Sequence, residues 1–224
     1  MTTAAAIRSD EEIQRDVLDE LKWDQRVQPN EVGVSVQNGI VTLTGWVDSF
    51  MKKWAAEEAA HRVRGVKAVV NDLEIHLPNS AERTDPDLAR AVLDALRWDA
   101  GIPTDKIDVT VSHGWVTLKG EVEYAFQKID AEHAIRHISG IRGITNLITV
   151  RPHVTPTDLK QQIERELIRN AEFDANNVQV EMDGCKVTLR GTVRSYAEWK
   201  AARDAAWLAP GVCEVINKLD IVPA

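Results

Sequence analysis

This chain is short of the residues that usually announce a chemistry. It has two cysteines in 224 residues, Cys185 and Cys213. Neither a CxxC pair nor a Cys/His spacing accompanies them. That argues against a zinc site or a disulfide framework, and two reduced thiols are expected. There is no excess of base: 27 Lys and Arg stand against 35 Asp and Glu, for a formal net charge of −8. Such a chain is repelled at long range by nucleic-acid phosphates, and no nucleic-acid partner is expected. No apolar run approaches the roughly 20 residues needed to span a bilayer. The opening stretch, MTTAAAIRSDEEIQ, lacks a basic segment followed by an apolar core. It is not read as a secretory leader, and a cytoplasmic protein is expected.

Catalytic signatures are equally scarce. The sequence has no GxSxG, no phosphate loop and no Ser/His/Asp order. His133 and His137 stand four apart, a metal-ligand spacing on a helix, but no third ligand accompanies them. GIRG at Gly140–Gly143 matches the GXXG of KH RNA-binding domains, yet it enters a strand rather than joining two helices. No catalytic residue, cofactor or metal is expected.

What the chain does have is repetition. VTLTG at Val41–Gly45 returns as VTLKG at Val116–Gly120 and as VTLRG at Val187–Gly191. Downstream of each word the spacing is fixed. Gly65, Gly140 and Gly211 each follow the first Val by 24 residues, and Asn71, Asn146 and Asn217 by 30. Upstream the spacing is elastic. Trp23-Asp24 and Trp98-Asp99 precede the word by 18 residues, and Phe173-Asp174 by 14. Fixed spacing marks packed elements, whereas variable spacing marks a surface loop.

Each repeat opens with an amphipathic helix. Ser9 and Glu12 form a capping box ahead of the stripe Ile13, Val17, Leu21. Asp85 before Pro86, and Thr155 before Pro156, are read as the later caps. Two strands follow, joined by Asn38-Gly39 in the first repeat and His113-Gly114 in the second, which are hairpin signals. In the third, Asp183-Gly184 is shifted by one place, so a different turn type or a bulge is expected. A second helix with a small inner face (Ala56, Ala59 and Ala60 in the first repeat) leads through the recurring Gly into a third strand. That strand lies parallel to the second by a right-handed crossover. The fold class is therefore α+β: three tandem α-β-β-α-β units, each a three-stranded mixed sheet with two helices on one face. The units are placed at 7–76, 84–151 and 155–222.

The element order, the G-x-V-T-L-x-G segment, the Ala-rich helix and the G-[VI]-x-x-[VI]-x-N entry to the third strand resemble the BON (bacterial OsmY and nodulation) domain family. The likeness covers nearly the whole chain as three copies. It departs in the third copy, where Cys185 and Lys186 replace a Gly-hydrophobic pair. The resemblance implies a non-enzymatic module of osmotic-stress or envelope physiology that engages phospholipid membranes. It carries no catalytic residues over.

Helices on one face leave the other face of each sheet open. Trp46 and Trp115 fall there, where they can dock on lipid, on a protein partner or on another unit, or be covered within the chain. A fully exposed Trp costs about 2–3 kcal/mol. Lys186, Arg190 and Arg194 place positive charge on or beside that face in the third unit, the best candidate for an anionic headgroup. Gly45, Gly120 and Gly191 allow close backbone approach, and the three recurring Asn point toward the core. The leading functional expectation is phospholipid binding. A potassium-responsive module and a protein-interaction or self-assembling scaffold, with oligomers possible, are the alternatives.

Overall fold

The computed structural model describes residues 8–27, 32–151, 158–169 and 177–222. Unit 1 comprises α1 (Asp10–Trp23), β1 (Val32–Gln37), β2 (Ile40–Val47), α2 (Phe50–Arg62), β3 (Ala68–Asn71) and β4 (Glu74–Ile75). Unit 2 comprises α3 (Asp85–Trp98), β5 (Ile107–Ser112), β6 (Trp115–Val122), α4 (Ala125–Ile135) and β7 (Gly143–Val150). Unit 3 comprises α5 (Leu159–Arg169), β8 (Val178–Asp183), β9 (Lys186–Val193), α6 (Tyr196–Leu208) and β10 (Glu214–Ile221). The fold is α+β in three repeats. In each, the VTL strand is central, antiparallel to the strand before it and parallel to the one after. β3 and β4 are the two pieces of one third strand, interrupted at Asp72 and Leu73.

Alternation along the central strand separates two environments. Val41, Leu43 and Val47 are buried against the helices, and Thr44 and Trp46 are exposed. Val116, Leu118 and Val122 repeat this in unit 2, and Val187, Leu189 and Val193 in unit 3. The small face of each second helix lies on the sheet: Ala56, Ala59 and Ala60 have no exposed surface, nor do Ala131, Ala202 and Ala206. Each unit has its own core cluster.

The hairpins correct two readings. Thr84, not Asp85, caps α3, accepting from the Asp87 amide. Asp85 is the first helical residue, and its carboxylate accepts from the His113 and Gly114 amides at 2.8 and 2.9 Å. Those two bonds hold its carboxyl below the ordinary range. Asp10 grips Asn38 and Gly39 in the same way in unit 1. The proposed third cap, Thr155-Pro156, lies outside the described residues. Pro156 occupies the repeat position of Asp10 and Asp85, so the third unit has no carboxylate there.

Unit 3 closes the same corner differently. Its turn keeps the two-residue length, between Asp183 and Lys186, without a bulge. Of its two central residues only Gly184 has positive φ (58°), the type II′ pattern. That frees the second position from glycine, and Cys185 occupies it. Cys185 forms a disulfide with Cys213, Cα atoms 5.3 Å apart, which overturns the expectation of two reduced thiols. Sequence spacing missed the bond because the parallel register of β9 with β10 creates it. Lys186 pairs with Glu214, which sets the preceding residues of the two strands side by side.

The units close on one another through their second helices. His61 on α2 stacks on Tyr196 of α6 at 3.6 Å between ring centroids, and Lys200 of α6 pairs with Glu58 of α2 at 2.9 Å. Arg136, the C-cap of α4, lies over Trp54 of α2 at 4.4 Å. Trp207 of α6 packs against the core of unit 2. His61, Arg136 and Trp207 occupy the same repeat position. Unit 1 thus reaches unit 3, unit 2 reaches unit 1, and unit 3 reaches unit 2. This is a closed ring of head-to-tail contacts.

Candidate functional site

Trp46 and Trp115 both lie on open sheet faces, 40% and 51% exposed. Each leans on its own unit. Trp46 stacks on His76 at 5.5 Å, and the Trp115 indole donates to Thr145 Oγ1 at 2.8 Å over the bare backbone of Gly143. They sit at opposite ends of their central strands, Trp115 first in β6 and Trp46 next to last in β2, so they form no common stripe.

The basic candidates are committed to carboxylates. Lys186 pairs with Glu214 at 2.8 Å across the β9–β10 boundary, and Arg190 with Glu181 at 2.8 Å on β8. The Glu214 pairing raises the Lys186 ammonium above its ordinary value. The Arg194 backbone amide donates to Glu198 at the start of α6. The unit 3 face therefore presents a mosaic of both signs, not a basic patch.

The recurring Asn residues form struts. Asn71, Asn146 and Asn217 donate from Nδ2 to the carbonyls of Lys53, Lys128 and Trp199, one on each second helix. Each Oδ1 accepts from the amide two residues on. Gly45, Gly65, Gly120, Gly140, Gly191 and Gly211 all have positive φ, and they shape the backbone rather than line a site.

The most exposed aromatics are elsewhere. Trp23 and Trp98, at equivalent places in the last turns of α1 and α3, are 83% and 89% exposed. Unit 2 exposes two more aromatics. Tyr124 and Phe126, 51% and 42% exposed, stack on each other at 5.6 Å. Gln127 donates to the Gly101 carbonyl, which ties the loop after Trp98 to this start of α4. Beside Trp23 the surface is held by charge. Asp24 accepts from Arg26 and Arg62, and those bonds keep its carboxyl well below the usual range. The recurrence of an aromatic-Asp pair marked these positions in the sequence. Their exposure was not legible there, because the final turn of an amphipathic helix can face either way.

Among the described residues no group of His, Cys, Asp and Glu is arranged to hold a metal ion. No described helix is long and apolar enough to cross a membrane.

Three comparisons bear on kinship. Osmotically-inducible protein Y of Escherichia coli is 25% identical over 126 residues, 54% of this chain and 62% of that protein. The match thus spans less than two thirds of the relative's length. The structure of CdsD, a structural protein of the type III secretion system of Chlamydia trachomatis, is 13% identical, with a TM-score of 0.28 over 95% of this chain and 93% of its own. Its C-terminal domain is 14% identical, with a TM-score of 0.27 over 96% and 100%. Likeness that low establishes no common function. The model of the BON domain matches residues 9–76, 84–152 and 156–223, and on those three matches the chain belongs to the BON domain family.

Proposed function

We propose that this chain is a non-enzymatic binding module that engages phospholipid surfaces through the aromatic end of unit 2. The observation that carries it is the exposure of Trp98, at 89%, together with the exposed Tyr124–Phe126 stack, to whose helix the loop after Trp98 is tied through Gly101 and Gln127. Trp and Tyr rings are amphipathic and settle at the headgroup level of a bilayer, where exposure to bulk water is relieved. Trp23 offers a second, smaller foothold at the equivalent place in unit 1. Lys186 and Arg190 are paired with carboxylates and the chain is acidic overall, so attraction to anionic headgroups is a minor part of this binding. The similarity to an osmotically inducible protein supports a setting in osmotic or envelope stress.

Compartment follows from the cysteines. A cytoplasmic protein, as the sequence suggests, keeps its thiols reduced, whereas the Cys185–Cys213 bond fits an oxidising compartment. Thiol counting on protein taken directly from its own cells separates the two.

Co-sedimentation with zwitterionic and anionic vesicles tests the lipid reading. Binding to both, little weakened by salt and largely lost in Trp98→Ala, is the expected result. No binding to either at low ionic strength overturns it.

A further inference from the structure

The second helices of the three units enclose a cleft of about 570 Å³. α2, α4 and α6 all supply walls, so no single unit contains it. Its size suits a small molecule, and such sites are common between domains.

The charged groups lining the cleft are balanced in number but not in commitment. Glu58 is held by Lys200, and Asp204 by Arg203. Glu57 accepts from Asn71 at 3.0 Å and Glu132 from Asn146 at 3.3 Å. Arg136 differs. It is 8% exposed, yet among the described residues its guanidinium has no hydrogen-bond acceptor and no ion-pair partner. Glu132 and Glu58 are near enough to favour its charge but form no ion pair with it, and burial still pulls its pKa below the ordinary value.

The guanidinium carbon lies over the Trp54 ring at 4.4 Å. A cation–π contact of this kind uses no N–H group, and the N–H groups are the part of arginine that forks onto an oxyanion. The only fully buried side-chain nitrogen or oxygen without a partner among the described residues is His61 Nδ1, so the guanidinium N–H groups open onto the cleft, where an acceptor from outside can reach them. Lys128, two turns earlier on α4, lines the same cleft and has no carboxylate partner among the described residues. The cations of the cleft without a carboxylate partner among the described residues are thus Arg136 and Lys128. Trp54, Ile129 and Trp207 add apolar wall. The carboxylates already present would repel a multiply charged anion.

We propose that this three-unit cleft binds a small organic monoanion, its oxyanion head on the edge of Arg136 and its apolar body against Trp54 and Trp207. Such a head can belong to a free carboxylate or phosphodiester, or to a lipid headgroup. The test is calorimetric titration of the full chain at constant ionic strength with benzoate, diethyl phosphate and monomeric dihexanoylphosphatidylglycerol, with neutral benzamide as control. One-to-one saturable binding of at least one anion, and none of benzamide, is expected. Arg136→Met should weaken it at least tenfold, measured at a temperature where circular dichroism shows the variant fully folded, and Arg136→Lys, which keeps charge but not the fork, should fall between. Binding of benzoate or diethyl phosphate assigns a soluble ligand, and binding confined to the short-chain lipid assigns a headgroup. In the unaltered chain the Arg136 Nε–H resonance should shift with saturation. No binding by any anion, binding unchanged in Arg136→Met, or a stationary resonance overturns the proposal. Trp98→Ala, which tests the vesicle reading, should leave this titration unaltered.

Discussion

Gly191 shows how little room the recurring VTLxG word leaves at its last letter. A Cβ there would run into the carbonyl oxygen of Asn177, at a φ of 124° that side chains rarely adopt. Gly120 faces the Lys106 carbonyl in the same way. Gly191→Ala should therefore destabilise unit 3 by about 3 kcal/mol, through overpacking and backbone strain together. Urea unfolding checks it, and a loss no larger than that of an exposed substitution such as Thr192→Ala would refute the close-approach account. Asn146 carries a different load. Its amide bridges the Lys128 carbonyl, the Glu132 carboxylate and the amide of fully buried Ile148. Asn146→Ala leaves the last of these without its side-chain acceptor, and a loss of about 2 kcal/mol is expected. Asn146→Asp restores that acceptor but sets a carboxylate beside Glu132. Its deficit relative to the unaltered chain should shrink as pH falls and the carboxylates protonate, measured by thermal unfolding across the acid range.

At the scale of elements, the three hairpins do one job in two ways. In units 1 and 2 the turn is gripped by a carboxylate from the first helix, and its glycine packs against a long cation: Gly39 against Lys67, Gly114 against Arg142. In unit 3 those two positions are Cys185 and Cys213. The Cys213 amide still donates to the Cys185 carbonyl at 3.0 Å, as Lys67 does to Gly39 and Arg142 to Gly114 at 2.9 Å. The disulfide thus replaces a side-chain contact without moving the backbone bond. By the chain-entropy account, closing a separation of 28 residues contributes about 3.5 kcal/mol. The double variant Cys185→Gly, Cys213→Lys, which installs the unit 1 pair, should lower the unfolding midpoint of unit 3 alone. Equal loss in all three units, read by segmental hydrogen exchange, would refute a local effect. The elements themselves were legible because their signals are local: the Ser9–Glu12 box, Asn38-Gly39, and the alternation of Val41, Leu43 and Val47. The cystine was not, because it needs a register between strands that no local pattern states.

The whole molecule depends on residues at which the repeats disagree. Comparing repeats rewards sameness, and it points to the variable fourth letter of the word, Thr44, Lys119 or Arg190, as the mark of difference. The structure puts the decisive difference on the outer faces of the second helices. One repeat position reads His61, Arg136 and Trp207, and each makes a different contact with a different neighbour. A ring closed in this way has no free copy of its own interface, so this surface does not lead to open-ended assembly. Its weakest joint under acid should be His61. The ring is stacked on Tyr196, its Nδ1 is buried without a partner among the described residues, and burial lowers its pKa from the ordinary 6.5 to about 4. Glu58 opposes that shift and Lys200 reinforces it. The sign follows from which state binds the proton. Once the joint opens, His61 takes up a proton near pH 6.5, whereas in the closed ring it stays neutral down to about pH 4. The contribution is therefore complete above about pH 6.5, declines as pH falls toward 4, and changes no further below that. His61→Phe keeps the stacked ring and removes the titration. Between about pH 7 and pH 5, above the range where carboxylates dominate, the unaltered chain should lose thermal stability faster than this variant. The hydrogen-exchange protection that α2 and α6 share should fall with it. Parallel pH profiles for the two proteins would show that the joint between units 1 and 3 does not sense the proton.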